Sequence, residues 1–257
     1  MTDKKKMLLS APSDDIRQVL SRAYDLYEKA YFTKRPFFTK FLTPLEKHEI
    51  DMRFEKSGDS PLSFFGGSKD SERCLACFGE ADEKDFPIRL IVIKTKNDSD
   101  LKHRDVMGTI LSLGIERELV GDIIVDASKA YVFALSEMAD YIKDNLSKIA
   151  SVGVKCEVKD LEDIALPERK YEEKRHTLSS MRLDCAVSAV TGLSRGNASA
   201  IIEKGLVSVN HQEIKNLSAS IKDGDIITVR GTGKFLAKTD LGLSKKGRVL
   251  VTFLKYV

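Results

Sequence analysis

Two short stretches of the chain contain residue types that catalysis uses, and each lacks a partner that its mechanism requires. The HRD triplet at residues 103–105 matches the start of a protein-kinase catalytic loop, but Ile110 occupies the position of the metal-binding Asn. The stretch GTGKF, residues 231–235, places Phe235 where a phosphate-binding loop needs a Ser or Thr to bind magnesium. Neither stretch therefore predicts phosphoryl-transfer chemistry.

The four cysteines do not predict a metal site. Cys74 and Cys77 have the spacing of metal ligands, but Cys156 and Cys185 are single and no His pair has ligand spacing. No Gly-rich turn after a strand suits a methyl-donor cofactor, and spacing alone supports no Ser, His and Asp arrangement. We therefore expect no catalytic residue, no metal and no cofactor, and hence a protein that is not an enzyme.

Charge and hydropathy limit the partners. No export signal and no apolar run long enough to span a membrane are recognised, so we expect reduced thiols, a cytoplasmic location and no membrane partner. The 257 residues carry a net charge of only +3, but this charge is unevenly distributed. Residues 181–257 contain 12 Lys and Arg against 6 Asp and Glu, so the basic charge is concentrated in the last third.

The first region, residues 1–72, is predicted to be helical. Apolar residues recur at helical spacing over 16–30, after a capping Ser13. A second helix is predicted from a capping box at Thr43 to about residue 56. Residues 57–72 are rich in Gly, Ser and Asp and predict a loop.

Residues 73–166 alternate between strands and helices. The predicted strands lie near 74–78 and over 88–95, 122–125, 130–135 and 154–160, and the predicted helices over about 104–113 and 136–149. From residue 88 this order is β-α-β-β-α-β, which is the ferredoxin-like arrangement of an antiparallel sheet with both helices on one face. The charged stretch 167–180 has little apolar periodicity and predicts a linker. The predicted fold class is therefore α+β.

Residues 181–257 predict a small domain of two short helices and a sheet. Apolar residues have helical spacing from Leu183 to Val190, and a second helix is predicted from a capping Ser194 to Gly205. Alternating strands are predicted from residue 207, over 221–230 around a turn, and over 248–257. Neither helix would be stable alone, so their apolar faces must pack against the sheet.

Residues 181–235 resemble the S-four RNA-binding domain, also called the αL motif. The elements of the family stand in order: RLD at 182–184, SR at 194–195, Gly205, VN at 209–210 and GD at 224–225. One departure is His211, where the family often has a glycine after the asparagine. We expect a looser turn there, although Asn210 tolerates a left-handed conformation.

Three further stretches, FLTPLEKHEI, FFGGSKDSERCLACF and KHRDVMGTILSLGIERELVGDIIV, resemble the YlmH-type proteins of bacteria. These proteins join an N-terminal helical region and a ferredoxin-like RNA-binding domain to a C-terminal S-four domain. The resemblance spans most of the chain. It implies a ribosome-associated RNA-binding protein, similar to factors that bind the RNA of the large subunit carrying a stalled nascent chain and peptidyl-tRNA. Separately, we expect a monomer.

The S-four resemblance and the charge pattern together predict an RNA-binding face. Phosphates are attracted to clustered Lys and Arg, and helix N-termini present free N–H donors to the same oxygens. The predicted residues are Arg182, Ser194, Arg195, Lys204, Lys215, Lys222 and Arg230. The alternative that these are ordinary solvated charges stays open. Asp184 is expected to orient Arg182 or the helix start, because a carboxylate repels phosphate.

The middle domain offers two further candidates. Tyr131 and Phe133 share one face of a strand, as stacking aromatics of RNA-binding sheets do, but the full pattern with its glycine is absent, and we interpret both as core residues. His103 and Arg104 are candidate RNA ligands, or they simply begin a helix with Asp105 in its first turn.

Two other classes of function remain open. S-four domains are also appended to pseudouridine synthases and RNA methyltransferases, which need a catalytic Asp in a separate domain or a cofactor loop, and neither is recognised in residues 1–180. An interaction protein of the division machinery would use the acidic first 180 residues, with 30 Lys and Arg against 33 Asp and Glu, and would not require RNA.

Overall fold

The computed structural model describes residues 4–54, 61–167, 171–239, 242 and 247–256. Its contacts divide the chain into two compact units, Met1–Pro167 and Glu168–Val257. Both units combine helices with antiparallel strands, so the fold is mixed α and β. No helix within the described ranges is both long enough and apolar enough to cross a membrane.

The first unit begins with helices α1 (Lys4–Leu9) and α2 (Asp14–Thr33). Ser13 caps α2, because its hydroxyl oxygen accepts a hydrogen bond from the backbone N–H of Ile16 at 3.3 Å. Helix α3 (Pro44–Phe54) begins with the predicted capping box, in which Thr43 and Glu46 each accept a hydrogen bond from the other's backbone N–H. The local sequence signals therefore define the start of both longer helices.

A three-stranded antiparallel sheet accompanies these helices. Its strand near 74–78 is as predicted, whereas the two strands within residues 1–72 correct the prediction of a region with helices and a loop alone. It consists of β1 (Phe37–Phe38), β2 (Leu62–Phe65) and β3 (Leu75–Phe78), in the order β1-β3-β2. Strand β2 lies in the predicted loop 57–72, of which residues 57–60 are outside the described part. Its four residues are too few to show periodicity, and they are ordered by pairing with β3.

The second sheet of this unit has five antiparallel strands. In chain order the elements are β4 (Ile88–Thr95), α4 (His103–Ser112), β5 (Val120–Asp126), β6 (Lys129–Leu135), α5 (Ser136–Asn145), β7 (Lys148–Ile149) and β8 (Val152–Lys159). The sheet order is β5-β6-β4-β8-β7. The helix predicted over 136–149 is shorter than expected, because its last two residues form β7. The ferredoxin-like class remains our prediction for the β-α-β-β-α-β part.

Both faces of this five-stranded sheet are covered. Ile91 and Ile93 belong to one apolar cluster with residues of α4 and α5. The alternate residues of β4 belong to a second cluster, which the N-terminal sheet completes. Tyr131 and Phe133 lie in this second cluster and are only 8% and 0% exposed. Their interpretation as core residues is confirmed, since no nucleobase can stack on a ring that the protein already covers.

The described residues of the second unit form one six-stranded antiparallel sheet and two helices. In chain order the elements are β9 (Tyr171–Leu178), α6 (Leu183–Thr191), α7 (Arg195–Glu203), β10 (Val207–Val209), β11 (Gln212–Glu213), β12 (Ile226–Val229), β13 (Gly233–Lys238) and β14 (Val249–Tyr256). The sheet order is β11-β10-β12-β13-β14-β9. As the helical spacing predicts, buried residues of α6 and α7 form one core with the sheet.

Strand β9 occupies most of the stretch 167–180 that the sequence predicts as a linker, and this prediction is corrected. The strand pairs with β14 along its whole length, from Leu178 opposite Val249 to Tyr171 opposite Tyr256. It is the edge strand of its sheet, and charged side chains are common on such edges because they oppose pairing with other chains. The charges that suggested a linker therefore suit an edge strand.

The turn between β10 and β11 is tight, in contrast to the looser turn expected at His211. Val209 pairs with Gln212, so Asn210 and His211 form a two-residue turn, with φ angles of 48° and 69°. Two positive φ angles are typical of a type I′ hairpin, whose twist matches that of its strands. The Asn210 side chain also accepts a hydrogen bond from the Ile226 N–H at 2.9 Å, which ties the turn to β12.

Candidate nucleic-acid interface

The candidate interface lies where α6 and α7 begin. Arg182 is the N-cap residue of α6, and Arg195 is the first residue of α7. Gly192 ends α6 with a φ of 72°, a left-handed conformation that costs glycine little, and α7 begins three residues later. This tight connection brings the beginnings of both helices near one carboxylate.

That carboxylate is Asp184, which is only 3% exposed. Arg182 donates to it twice, from Nε to Oδ1 and from Nη2 to Oδ2, both at 3.1 Å. Arg195 also donates twice, from Nε and Nη2 to Oδ2 at 3.0 and 2.9 Å. The backbone N–H of Cys185 completes the set at 2.9 Å to Oδ1. Asp184 therefore orients not only Arg182, as expected, but Arg195 as well.

Arg182, Asp184 and Arg195 form a trio whose electrostatics follow from these hydrogen bonds. Burial alone would raise the pKa of Asp184, but the hydrogen bonds from Arg182 and Arg195 outweigh that effect and lower the pKa from 3.8 to about 2. The carboxylate is therefore charged at neutral pH, and the trio has a net charge of +1. Since the two arginine side chains remain 42% and 58% exposed, this charge is accessible to an anion in solution.

The geometry also leaves donors available. Both guanidinium groups use Nε and Nη2 for the carboxylate, and among the described residues no hydrogen bond uses Nη1 of Arg182 or Arg195. A guanidinium held along one edge presents its remaining N–H groups in a fixed direction. The arrangement can bind phosphate oxygens with little further ordering of the side chains.

The other predicted residues of this unit lie outside the trio. Ser194 caps α7 by accepting from the Asn197 N–H at 3.3 Å, so its hydroxyl oxygen already serves the helix. Lys204 follows the end of α7, about 13 Å along the axis from Arg195 at 1.5 Å per residue. Lys215 pairs with Glu213 at 3.1 Å. Lys222 and Arg230 are exposed near the ends of β12. Of the predicted RNA-binding residues, only Arg182 and Arg195 therefore share a hydrogen-bond partner, which is Asp184.

His103 and Arg104 belong to the first unit, where they begin α4. Arg104 is 81% exposed and pairs with Asp105 at 3.3 Å. The His103 side chain reaches solvent, yet partial burial of its ring lowers its pKa, and the positive charge of Arg117 lowers it further. A neutral His103 beside an exposed Arg104 fits an RNA contact, and it equally fits an ordinary helix start.

Two arginines that the sequence analysis did not single out, Arg73 and Arg117, line a cavity of about 920 Å³ in the first unit. Burial, then the nearby charge of Arg73, lowers the pKa of Arg117 to about 10. Arg73 donates from Nη2 to the Phe41 carbonyl at 2.9 Å, and Arg117 from Nη1 to the Gly121 carbonyl at 3.1 Å. Of the described residues, five basic and four acidic side chains line this cavity, so its charges nearly balance. Since Arg73 and Arg117 both donate to backbone carbonyls, we interpret them as residues that connect loops.

The described residues also bear on metal and thiol chemistry. They contain no group of three or more His, Cys, Asp or Glu side chains that could hold a metal ion. Burial raises the pKa of Cys74, Cys77 and Cys156 to about 11. These thiols are therefore protonated at neutral pH, whereas the thiolate is the form that attacks electrophiles and binds metals.

Comparison with known proteins gives three similarities. Residues 81–163 match the family model described as "Putative RNA-binding domain in YlmH". Over 220 residues the chain is 28% identical to "Ribosome-associated protein quality control protein P2" of Bacillus subtilis (strain 168), covering 84% of this chain and 85% of that protein. The solved structure "Cell division protein ylmH from Streptococcus pneumoniae" is similar with a TM-score of 0.52 and 26% identity, covering 60% of this chain and 96% of that one.

Proposed function

From its confirmed resemblance to the YlmH-type proteins, we propose that this chain is a non-catalytic RNA-binding protein of the large ribosomal subunit. It contacts ribosomal RNA and peptidyl-tRNA as a monomer, and it acts in translation or in the quality control of stalled nascent chains. The family description supports RNA as the ligand, and the name of the Bacillus subtilis relative supports the process. The proposal includes a cytoplasmic location, because translation takes place there.

The observation that carries the proposal is the pair of arginines held by Asp184. An exposed arginine that is ordered only on binding loses side-chain entropy at that moment, which weakens binding. Arg182 and Arg195 have lost much of that freedom already, because four hydrogen bonds fix them to a buried carboxylate. They lie in the unit with the excess of basic residues, in the part that resembles an S-four domain.

Binding to the ribosome, without catalysis, is sufficient for such a role. A ligand shifts a conformational equilibrium by its differential affinity for the two states, so a protein that binds one arrangement of RNA and tRNA changes what other factors can do there. No bond needs to be made or broken. The matching family is described by RNA binding, and no catalytic family is indicated.

The test is co-sedimentation of the full chain with purified ribosomal subunits at several salt concentrations. Because a buried carboxylate without a partner is costly, the two arginines are replaced together with it, as Arg182→Ala, Arg195→Ala and Asp184→Asn. Loss of two phosphate contacts should weaken binding and reduce the salt slope by about two. The control is Arg175→Ala, which changes the net charge by the same amount on an exposed position of β9.

The outcomes separate the alternatives. Unchanged affinity and salt slope in the triple variant would contradict the proposed interface. Absence of co-sedimentation even for the unmodified chain would favour a division-linked interaction protein, in line with the name of the Streptococcus pneumoniae structure. Incubation with ribosomal RNA, with and without a methyl donor, followed by mass spectrometry of nucleosides tests for catalysis. A modified nucleoside that depends on this chain would establish an RNA-modifying enzyme instead.

A further inference from the structure

Three lysines lie side by side on one face of the five-stranded sheet, at the end where β4 finishes. The pairing register places Lys94 of β4 directly opposite Lys129 of β6 on one side and Lys155 of β8 on the other. Residues directly opposite in an antiparallel pair share a face of the sheet. The three lysines therefore form one row across three neighbouring strands.

Two more lysines form a second row on the same face. Gly153 lies two residues before Lys155 on β8, so it belongs to that face, and it is directly opposite Lys148 of β7. The backbone N–H of Lys96 donates to the Gly153 carbonyl at 3.0 Å. A Cβ on Gly153 would lie 3.4 Å from Cδ of Lys96, so the stem of Lys96 crosses the face at this glycine.

These residues form a compact exposed surface, which we call the lysine patch. It consists of Lys94, Lys96, Lys129, Lys148 and Lys155, all of which are exposed. With strands about 4.8 Å apart and a rise of about 3.4 Å per residue, the patch spans about 14 Å across four strands and about 7 Å along them. Val92, two residues before Lys94, is only 3% exposed and belongs to the cluster that the N-terminal sheet completes. The patch thus begins where that apolar cover ends.

The lysine patch has an excess of positive charge. The register places two acidic residues beside it on this face, which are Asp126 opposite Lys129 and Glu157 two residues after Lys155. Five positive charges therefore meet two negative ones. Glu157 pairs with Lys155 at 3.3 Å. Among the described residues, no ion pair involves Lys94, Lys96, Lys129 or Lys148.

The stability of the sheet does not explain this arrangement. Opposite charges in facing positions stabilise an antiparallel pair, whereas like charges directly opposite destabilise it. Lys94 faces a lysine on both of its neighbouring strands. The patch also lies within residues 1–180, where acidic residues outnumber basic ones by 33 to 30. A local excess of lysines at facing positions suits the binding of a polyanion, because clustered lysines attract phosphates.

We propose that the lysine patch binds the phosphate backbone of RNA, as a second RNA-binding surface besides Arg182 and Arg195. The inference rests on the proposed RNA-binding function and extends it to the first unit. All five lysines lie within residues 81–163, which match the model of a putative RNA-binding domain, and this match favours RNA over an acidic protein. Since the neighbouring Tyr131 is only 8% exposed, the contact is to phosphates and is independent of base sequence.

The test measures the binding of the full-length protein to protein-free ribosomal RNA at several salt concentrations. Lys94→Gln removes the central charge of the patch, and the control Lys84→Gln removes a charge that is 69% exposed, four residues before β4 begins. We expect Lys94→Gln to weaken binding by about fivefold near 0.1 M salt and to lower the salt slope by about one. Lys84→Gln should change neither quantity, and Lys94→Arg, which keeps the charge, should bind as the unmodified chain does.

Urea denaturation of the same variants separates binding from folding. Because Lys94→Gln relieves two pairs of like charge, it should not lower the denaturation midpoint. A lower midpoint together with weaker binding would indicate a structural role of Lys94 and would overturn the proposal. A loss of affinity in Lys94→Arg equal to that in Lys94→Gln would do the same, because the charge would then not be what binds.

The remaining outcomes distinguish this proposal from the proposed function. Equal binding losses in Lys94→Gln and Lys84→Gln, or no loss in either, would overturn the lysine patch as an RNA-binding surface. So would weaker co-sedimentation of Lys94→Gln with ribosomal subunits at unchanged affinity for protein-free RNA, since the partner would then be a ribosomal protein. In all these cases the unmodified chain still binds RNA, and the proposed function is untouched. If the unmodified chain binds neither RNA nor subunits, both proposals fail.

Discussion

Replacing Asp184 with Asn tests whether this carboxylate organises the basic face. The substitution makes the surface more positive by one charge, so attraction of phosphates to net charge alone predicts tighter RNA binding. If Asp184 instead orients the arginines, the substitution should weaken RNA binding. Arg182 and Arg195 would lose the acceptor that holds the Nε and Nη2 edge of each guanidinium.

The stability cost follows from the pKa of Asp184. A shift from 3.8 to about 2, at about 1.4 kcal/mol per unit, corresponds to a stabilisation of about 2 to 3 kcal/mol. Because the pKa is lowered in the folded state, this stabilisation is complete when the pH is above the ordinary pKa of 3.8. It is lost as the pH falls through about 2. Asp184→Asn should therefore cost about 2 to 3 kcal/mol at pH 7, and the cost should shrink between about pH 4 and pH 2.

Native-state hydrogen exchange of the α6 amides measures this free energy, because exchange reports the opening of individual segments. RNA affinity is measured on the same variant, and the loss of one charge-assisted hydrogen bond to phosphate, about 1.5 kcal/mol, corresponds to roughly tenfold weaker binding. The control is Glu203→Gln, which removes an exposed negative charge from α7. RNA binding by Asp184→Asn as tight as that by Glu203→Gln would falsify the orienting role.

Two further predictions concern the fold that carries the interface. Phe133→Ala should lower the free energy of unfolding by about 3–5 kcal/mol in urea denaturation, because the ring is 0% exposed in the core. A loss of RNA affinity without a loss of stability would contradict its core role. A fragment of residues 168–257 should fold alone and retain most of the non-specific RNA affinity, whereas 179–257 should melt at a lower temperature because it lacks β9. Equal melting temperatures of the two fragments, measured by circular dichroism, would show that pairing of β9 with β14 adds no stability.

Elements with a local signal were predictable from the sequence. The strand predicted over 88–95 has those same bounds in the structure, because its residues are almost continuously apolar and both its faces are buried. The apolar spacing from Leu183 to Val190 and the following Gly192 predict α6 within one residue at its end. In these segments the pattern of burial repeats along the chain itself, so the sequence alone contains it.

Strand β9 was not predictable by the same reasoning. Its partner β14 lies more than 70 residues further along the chain, and at the sheet edge the strand needs few apolar residues of its own. The two-residue turn at Asn210 is a similar case, because the hydrogen bond that ties it down comes from β12. Such contacts between distant segments override the local composition.

The candidate site also has a part that the sequence predicts and a part that it does not. The motif identifies Arg182 and Arg195 by residue type, but the sharing of one carboxylate between them depends on how closely the connection folds α7 against α6. A helix pair does not need a buried charge for stability, since an apolar residue of similar size at such a position is often neutral or stabilising. Asp184 nevertheless is buried with five hydrogen bonds, four of them from side chains that reach solvent. We infer that its contribution is the direction in which those arginines point.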